Sequence, residues 1–420
     1  MGEKIADLGA FCGIGCIFAT PNACNMLKTA FTMLPMFISL FWFLMFIAEN
    51  NRNKSIRVIL VAFFGVAFLL YTSHALFFNY EIDTYLYFDA VYNFATIAVY
   101  PIYFLYVIYL TRETSFHLKY ILLLLPAVLL GATTAVLYGF MGVDESKYFI
   151  RQVLYHEGNP ENLSVAGKLQ LIRYRSVPVI FTAQLVVIIL AGSQFIINFD
   201  ERVKNFYSNT EGKELRWTRM IFVNFAIFSV FSMIANVLGR SFFLPEEWLV
   251  IPSLVFSVLI FVVGYVSYNQ RFTAMDIRRD EEVLSSGEVS FDDSDPDYLL
   301  SVSQNSDLKN RLRILLEEDK IYTQKDLRVV DVSIRLHTNR TYISRLINQE
   351  YGKSFSDLIN HYRFEEAKMM LISPGYSLLS IGEIANKAGF PSESSFYRVF
   401  KKETGMAPGD WRKVNNRIKA

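Results

Sequence analysis

Thr338-Asn339-Arg340-Thr341-Tyr342-Ile343-Ser344-Arg345 and, further on, Gly389-Phe390-Pro391-Ser392-Glu393-Ser394-Ser395-Phe396-Tyr397-Arg398-Val399-Phe400-Lys401-Lys402 are two versions of one pattern. Each opens on turn residues, passes through short polar side chains suited to capping, and continues as an amphipathic helix. In the first copy Ile343, Leu346 and Ile347 fall on one inward face, while Arg340, Thr341, Ser344, Arg345 and Asn348 stay outside. A short helix near Val329 to Leu336 precedes it, His337 and Thr338 form the turn, and the helix from Asn339 to Glu350 stops at Gly352. Helix, tight turn and helix make a helix-turn-helix unit.

Ser354, paired with Asp357 three residues on, opens the next helix, which runs through Leu358, Ile359, Tyr362, Ala367 and Leu371 until Pro374 and Gly375 stop it. The unit then recurs. Ser380 and Glu383 form a capping box, Ile384 and Ala385 face inward, Gly389 and Phe390 turn the chain, and Ser392 caps a second reading helix ending at Gly405. The connecting helix of about eighteen residues is about 27 Å long, close to the roughly 34 Å between successive major-groove faces. One chain thus has the spacing to insert two helices into adjacent turns of a duplex. Guanidinium groups reach guanine O6 and N7 in pairs, and short hydroxyls and amides read bases or grip phosphate. Upstream, Leu308, Leu312, Leu315 and Leu316 line one face of a first soluble helix. Lys309, Lys368 and Lys387 read as solvated surface, whereas Arg345 and Arg398 combine motif position with an outward direction.

These two strings, with Gly405-Met406-Ala407-Pro408 after the second, resemble the AraC/XylS-type transcriptional regulators over about a quarter of the chain. The resemblance implies a seven-helix DNA-binding domain whose third and sixth helices enter the major groove. Matched residue by residue, the base-contacting positions fall on Thr341, Ser344 and Arg345 in the first unit, and on Glu393, Ser394, Ser395 and Arg398 in the second. Arg340, Asn348, Lys401 and Lys402 complete the DNA-binding set. Three departures stand out. Arg328 occupies the usual Ser or Thr cap position, so that cap falls to another group, with Asp326 the candidate. His337 replaces the common turn glycine, which is tolerable because histidine is enriched at positive φ. Glu393 stands where an amide is frequent, and it either accepts from cytosine N4 or repels phosphate. The family's usual soluble effector domain is replaced by something apolar.

That replacement is a run of long apolar segments. Windows of about twenty residues, matched to a hydrocarbon core of about 30 Å, give seven spans: Phe31 to Ala48, Val58 to Phe78, Leu86 to Leu110, Leu118 to Phe140, Val177 to Phe199, Met220 to Leu238 and Trp248 to Tyr268. Arg52, Lys54 and Arg57 fill the first loop, Arg112 and Lys119 the third, and Arg202, Lys204, Lys213, Arg216 and Arg219 the fifth. The second holds Glu81 and Asp83, and the sixth Glu246 and Glu247. By the positive-inside rule the odd loops and the C-terminus are cytoplasmic, in a multi-pass protein of the bacterial inner membrane. The fourth loop, Met141 to Arg175, is long enough to shape an outer ligand site.

Charged and polar side chains inside spans are costly and often functional. His74, Asp89, Asn93 and Arg240 share one outer depth on this topology, which suggests a pocket where an anionic ligand meets Arg240 or a proton titrates His74. The competing reading is a set of interfacial residues wetted by headgroups.

Between spans and reader, Asn269 to Ser306 is polar, with Asp292, Asp293, Asp295, Pro296 and Asp297 clustered and almost no apolar period. As a flexible coil it would reach about 35 Å. Beyond Asp307 the chain carries about seven more basic than acidic residues, a bias hidden in the overall net charge of +1. The composition, 52% hydrophobic with a mean hydropathy of +0.27, excludes an ordinary soluble protein. Cys12, Cys16 and Cys24 lack the histidine pairing of a zinc site, so neither metal nor structural disulfide is expected. The apolar stretch Leu8 to Ala19 reads either as a signal-peptide core or as sequence ahead of a true start at Met26.

The expectation is an all-α chain of four parts. They are an N-terminal segment (1–30), a seven-span sensor (31–268), an acidic linker (269–306) and a double helix-turn-helix domain (307–420). No phosphate-binding glycine loop or nucleophile elbow points to an enzyme, and no cofactor is implied. The partners expected are double-stranded DNA, the lipid bilayer, a small-molecule or membrane-borne signal, a second copy of the chain and RNA polymerase. The alternatives are a transporter with a regulatory C-terminal domain, disfavoured by the lack of inverted repeats and midplane carboxylates, or a scaffold.

Overall fold

The computed structural model describes residues 21–49, 54–112, 122–155, 158, 160–211, 213, scattered positions between 220 and 238, 246–270, 273–285 and 302–419. Two units emerge: residues 1–196 with 216–271, and residues 197–215 with 272–420. Both are built from helices among the described residues, as expected of an all-α chain.

The first unit contains α1 (Pro21–Ala48), α2 (Lys54–Phe78), α3 (Ile82–Thr111), α4 (Leu125–Phe149), most of α5 (Val165–Phe206) and α6 (Glu246–Asn269). Among the described residues, six helices are long and apolar enough to cross a membrane. The expected span Met220 to Leu238 falls largely outside the described residues, as do the stretch Leu8 to Ala19 and Arg240.

α3 is the axis of this unit, buried without a break from Ala95 to Thr111. A helix apolar on every face needs neighbours on every face. α2 and α4 pack on it, and α1 packs on α2 and α6. The outer helices turn large apolar side chains away from the protein: Phe140 is 79% exposed, Val179 70% and Leu190 66%. Such surface needs lipid or another protein to cover it. Some serine and threonine hydroxyls inside the bundle turn back on their own helix, as Ser39 Oγ donates to Pro35 O at 2.6 Å and Thr134 Oγ1 to Leu130 O at 2.7 Å.

The expected long fourth loop is mostly helical. α4 breaks at Gly142 (φ 72°) and resumes to Phe149, a π turn follows at Ile150–Leu154, and α5 begins at Val165. The turn is anchored by Tyr155, which stacks on Phe77 at 4.4 Å and donates to Phe77 O at 2.6 Å. Aromatic burial thus orders a segment whose mixed charge reads as loop.

The second unit comprises the end of α5 from Ile197, α7 (Ala274–Ser285), α8 (Val302–Glu317), α9 (Val329–Arg335), α10 (Arg340–Tyr351), α11 (Phe355–Ile372), α12 (Ile381–Lys387), α13 (Glu393–Thr404) and α14 (Pro408–Lys419). α7 corrects the expectation of an unstructured linker over Ala274–Ser285, whereas the cluster Asp292, Asp293, Asp295, Pro296 and Asp297 lies outside the described residues. Asp276 Oδ2 accepts from the Thr273 backbone at 2.8 Å and from its hydroxyl at 2.9 Å, and Ala274 and Ile277 are fully buried. One cap and two apolar positions one turn apart nucleate a helix there without a longer period.

α11 carries two cores. Leu358 and Ile359 pack with Leu316, Val332, Ile343 and Ile347, while Phe364, Ala367 and Leu371 pack with Ile384, Phe390, Phe396 and Phe400. Buried Arg363, between them, donates to Tyr322 O at 2.7 Å, Gln324 O at 2.6 Å and Lys325 O at 3.1 Å. Burial pushes its guanidinium down to about 10, still well above neutrality, so it donates as a cation.

Candidate nucleic-acid interface

The two helix-turn-helix units are α9–α10 and α12–α13, and their turns close alike. In the first, His337 N donates to Ile334 O and Thr338 N to Ser333 O; in the second, Gly389 N donates to Asn386 O and Phe390 N to Ala385 O. This bonding needs a residue at positive φ, met by His337 at 51° and Gly389 at 92°. Caps fix where each reading helix starts. Asn339 accepts from Tyr342 N at 2.9 Å, Ser392 accepts from Ser395 N at 3.1 Å, and Gly352 and Gly405 end the helices at positive φ. The Arg328 position is capped by Asp331, whose Oδ2 accepts from Arg328 N at 2.7 Å; Asp326 instead accepts from Asn209 Nδ2 at 3.3 Å.

The third and sixth of the seven helices from Val302 onward are therefore α10 and α13, joined through the 18-residue α11. On α10, Thr341, Arg345 and Asn348 are exposed and Arg340 and Ser344 half-buried; on α13, Glu393, Ser394, Arg398, Lys401 and Lys402 are exposed. Ser395 is the exception. It is 6% exposed, and it drops out of the outward-facing set because Phe396 and Phe400 turn that side of the helix into the core. Lys402 pairs with Asp357 of α11 at 3.7 Å, which spends part of its charge inside the protein.

In the first unit the expected polar residues separate. Asp89 and Asn93 are buried together, but their partner is Arg173 of α5. Arg173 Nη1 donates to Asn93 Oδ1 at 2.5 Å, and Nη2 lies 3.9 Å from Asp89 Oδ2. The hydroxyls of Tyr85 and Tyr138 donate to the two Asp89 oxygens at 2.6 and 3.0 Å. His74 packs against rings, stacked on Phe78 at 5.8 Å and edge-on to Tyr92 at 5.2 Å. Arg173 escaped the sequence reading because Arg173 and Arg175 cut the hydropathy window at Val177. An aspartate and an arginine that both lie in apolar surroundings were the available signal.

A helix-turn-helix domain family model matches residues 332–414. Residues 332–414 are an AraC-type helix-turn-helix domain. The xylose operon regulatory protein of Escherichia coli (strain K12) is 32% identical over 94 residues, 22% of this chain and 23% of that protein. The HTH-type transcriptional regulator YtdP of Bacillus subtilis (strain 168) is 33% identical over 89 residues, 21% of this chain and 11% of that one. The chain thus spans less than a quarter of either relative's length. Among solved structures, the C-terminal domain of AraT, a response regulator from Geobacillus stearothermophilus, is 34% identical, with 26% of this chain and 84% of that one covered and a TM-score of 0.23. Both relatives are named as regulatory proteins.

Proposed function

We propose that the chain is a membrane-tethered, sequence-specific DNA-binding transcription regulator whose membrane bundle senses a signal and whose C-terminal domain lies in the cytoplasm. The observation that carries this reading is the coexistence, in one chain, of an AraC-type domain with two exposed helix-turn-helix second helices and, among the described residues, six helices long and apolar enough to cross a membrane. Arg345 and Arg398 read base edges, and Thr341, Ser344, Asn348, Ser394, Lys401 and Lys402 position the duplex through bases and phosphate.

Signal reception is assigned to the Asp89–Asn93–Arg173 network. A buried charged network has discrete arrangements, and a ligand that binds one arrangement better shifts the population toward it. Association of bundles would raise the effective concentration of paired readers without any new DNA contact. DNA, the bilayer, a second copy and RNA polymerase are the partners of this reading.

The test uses the full chain in lipid nanodiscs and a duplex enriched from a random-sequence library. Arg345→Ala is expected to lose about 1–3 kcal/mol of discrimination between that duplex and a scrambled one. Affinity should fall steeply with salt. Unchanged discrimination, or salt-insensitive binding, would contradict the reading.

A further inference from the structure

The chain that follows α5 is stitched onto the DNA-reading unit. Phe206 and Tyr207 join the core of the first helix-turn-helix unit, Tyr207 forms an isolated antiparallel bridge with Arg328, and Ser208 N donates to Leu327 O at 3.0 Å. Ser356 Oγ donates to Ser208 O at 3.1 Å, and Arg363 Nη2 lies 3.3 Å from Ser208 Oγ. Held this way, the segment delivers Glu211 to the start of the second reading helix. Asn209 Oδ1 accepts from Glu211 N at 3.0 Å and fixes the turn. The two carboxylate oxygens then divide between two hydroxyls of α13: Ser392 Oγ donates to Oε2 at 2.6 Å and Ser394 Oγ to Oε1 at 3.1 Å.

Those hydroxyls are a place where a duplex would be gripped. Ser392 caps α13 and Ser394 is exposed on its first turn, where the unpaired N–H groups and dipole of a helix start favour an anion. DNA phosphates bind at helix starts through hydroxyls and backbone N–H groups. A carboxylate that accepts from two neighbouring hydroxyls presents the same paired-oxygen, negatively charged face as a phosphodiester. It cannot share that place with one.

We propose that Glu211 is an autoinhibitory phosphate mimic: it occupies the phosphate-gripping start of α13, and duplex binding at the second reading helix requires the 207–211 segment to let go. The proposal rests on the reading of the C-terminal domain as a DNA binder. It makes the segment directly after the fifth apolar helix a gate on DNA binding, because whatever moves that segment changes how many chains present both reading helices. Affinity measured on a partly occluded population is reduced by the open fraction, so removal of the mimic raises it.

The experiment uses the full chain in nanodiscs and a fluorescent duplex enriched from a random-sequence library with the Glu211→Gln chain. Glu211→Gln and Glu211→Ala are expected to bind that duplex about tenfold more tightly than the unaltered chain. Glu318→Gln, which removes one exposed charge elsewhere on the same unit, should stay within about twofold. Equal or weaker binding by both Glu211 variants, while the unaltered chain binds, would overturn the proposal and leave the DNA-binding function standing. No duplex enriched by any variant would overturn the DNA-binding reading itself, and this inference with it. Hydrogen exchange on the unaltered chain supplies a mutation-free check. Added duplex should speed exchange at Asn209 and Glu211 while protecting the first turn of α13, and protection at both places would contradict release.

Discussion

Gly389 lies against the backbone of Tyr322: a Cβ built on Gly389 would stand 2.5 Å from the Tyr322 carbonyl oxygen and 2.6 Å from Thr323 Cα. The same carbonyl accepts from buried Arg363. The turn of the second helix-turn-helix unit, the 321–323 turn ahead of the first unit and the middle of α11 therefore meet at one carbonyl.

Gly389→Ala should destabilise the AraC-type domain by about 2 kcal/mol or more, since it adds both a steric overlap and a side chain at φ 92°. His337→Gly, at the equivalent turn, should instead be tolerated. Urea denaturation of the full chain in detergent, followed by exchange at α12 and α13, reads both. Equal stability of Gly389→Ala and the unaltered chain would show that the close approach is not a constraint.

Much of this domain was legible because its signals are local. Ser354, Ser380, Ser392, Gly352 and Gly405 sit where the caps and stops were expected, and α11 has the anticipated eighteen residues. What escaped depends on distant partners. Glu211, Ser208 and Arg363 belong to one network only after residues more than a hundred positions apart are brought together. Ser395 was misplaced by carrying over a family position without weighing the helix phase set by Phe396 and Phe400. In the bundle, hydropathy found the apolar cores of the helices but cut α5 short at its arginines, and so hid Arg173.

Asp89→Ala leaves the buried Arg173 guanidinium with Asn93 but without a carboxylate, and deprives Tyr85 and Tyr138 of their acceptor. Loss of one partner of a buried charge pair costs about 3 kcal/mol or more. Asp89→Ala should lower the thermal midpoint in detergent clearly, and Asp89→Ala with Arg173→Ala should cost less than the two single changes added together. Strict additivity would show that the two residues are not coupled.

Acid should loosen α12 locally. The Ser380 backbone N–H donates to Glu383 Oε2 at 2.7 Å and, with the Ser380 side chain, holds the Glu383 carboxyl below the ordinary glutamate range. A depressed folded value means that the contribution is present above the ordinary value, about 4, and is lost as pH falls through the folded one. Exchange at the Ser380 amide, corrected for intrinsic pH dependence, is expected to rise on that descent in the unaltered chain but not in Glu383→Gln. Identical pH profiles would contradict this.

The most direct test of the whole account is the compartment of the reading helices. Lys401→Cys, on the exposed face of α13, would be introduced into a chain whose Cys12, Cys16 and Cys24 are replaced by serine, and intact cells treated with a membrane-impermeant maleimide. A cytoplasmic DNA reader predicts no labelling until the membrane is opened. Full labelling of unopened cells would put the reading helices on the side away from the chromosome and contradict the account.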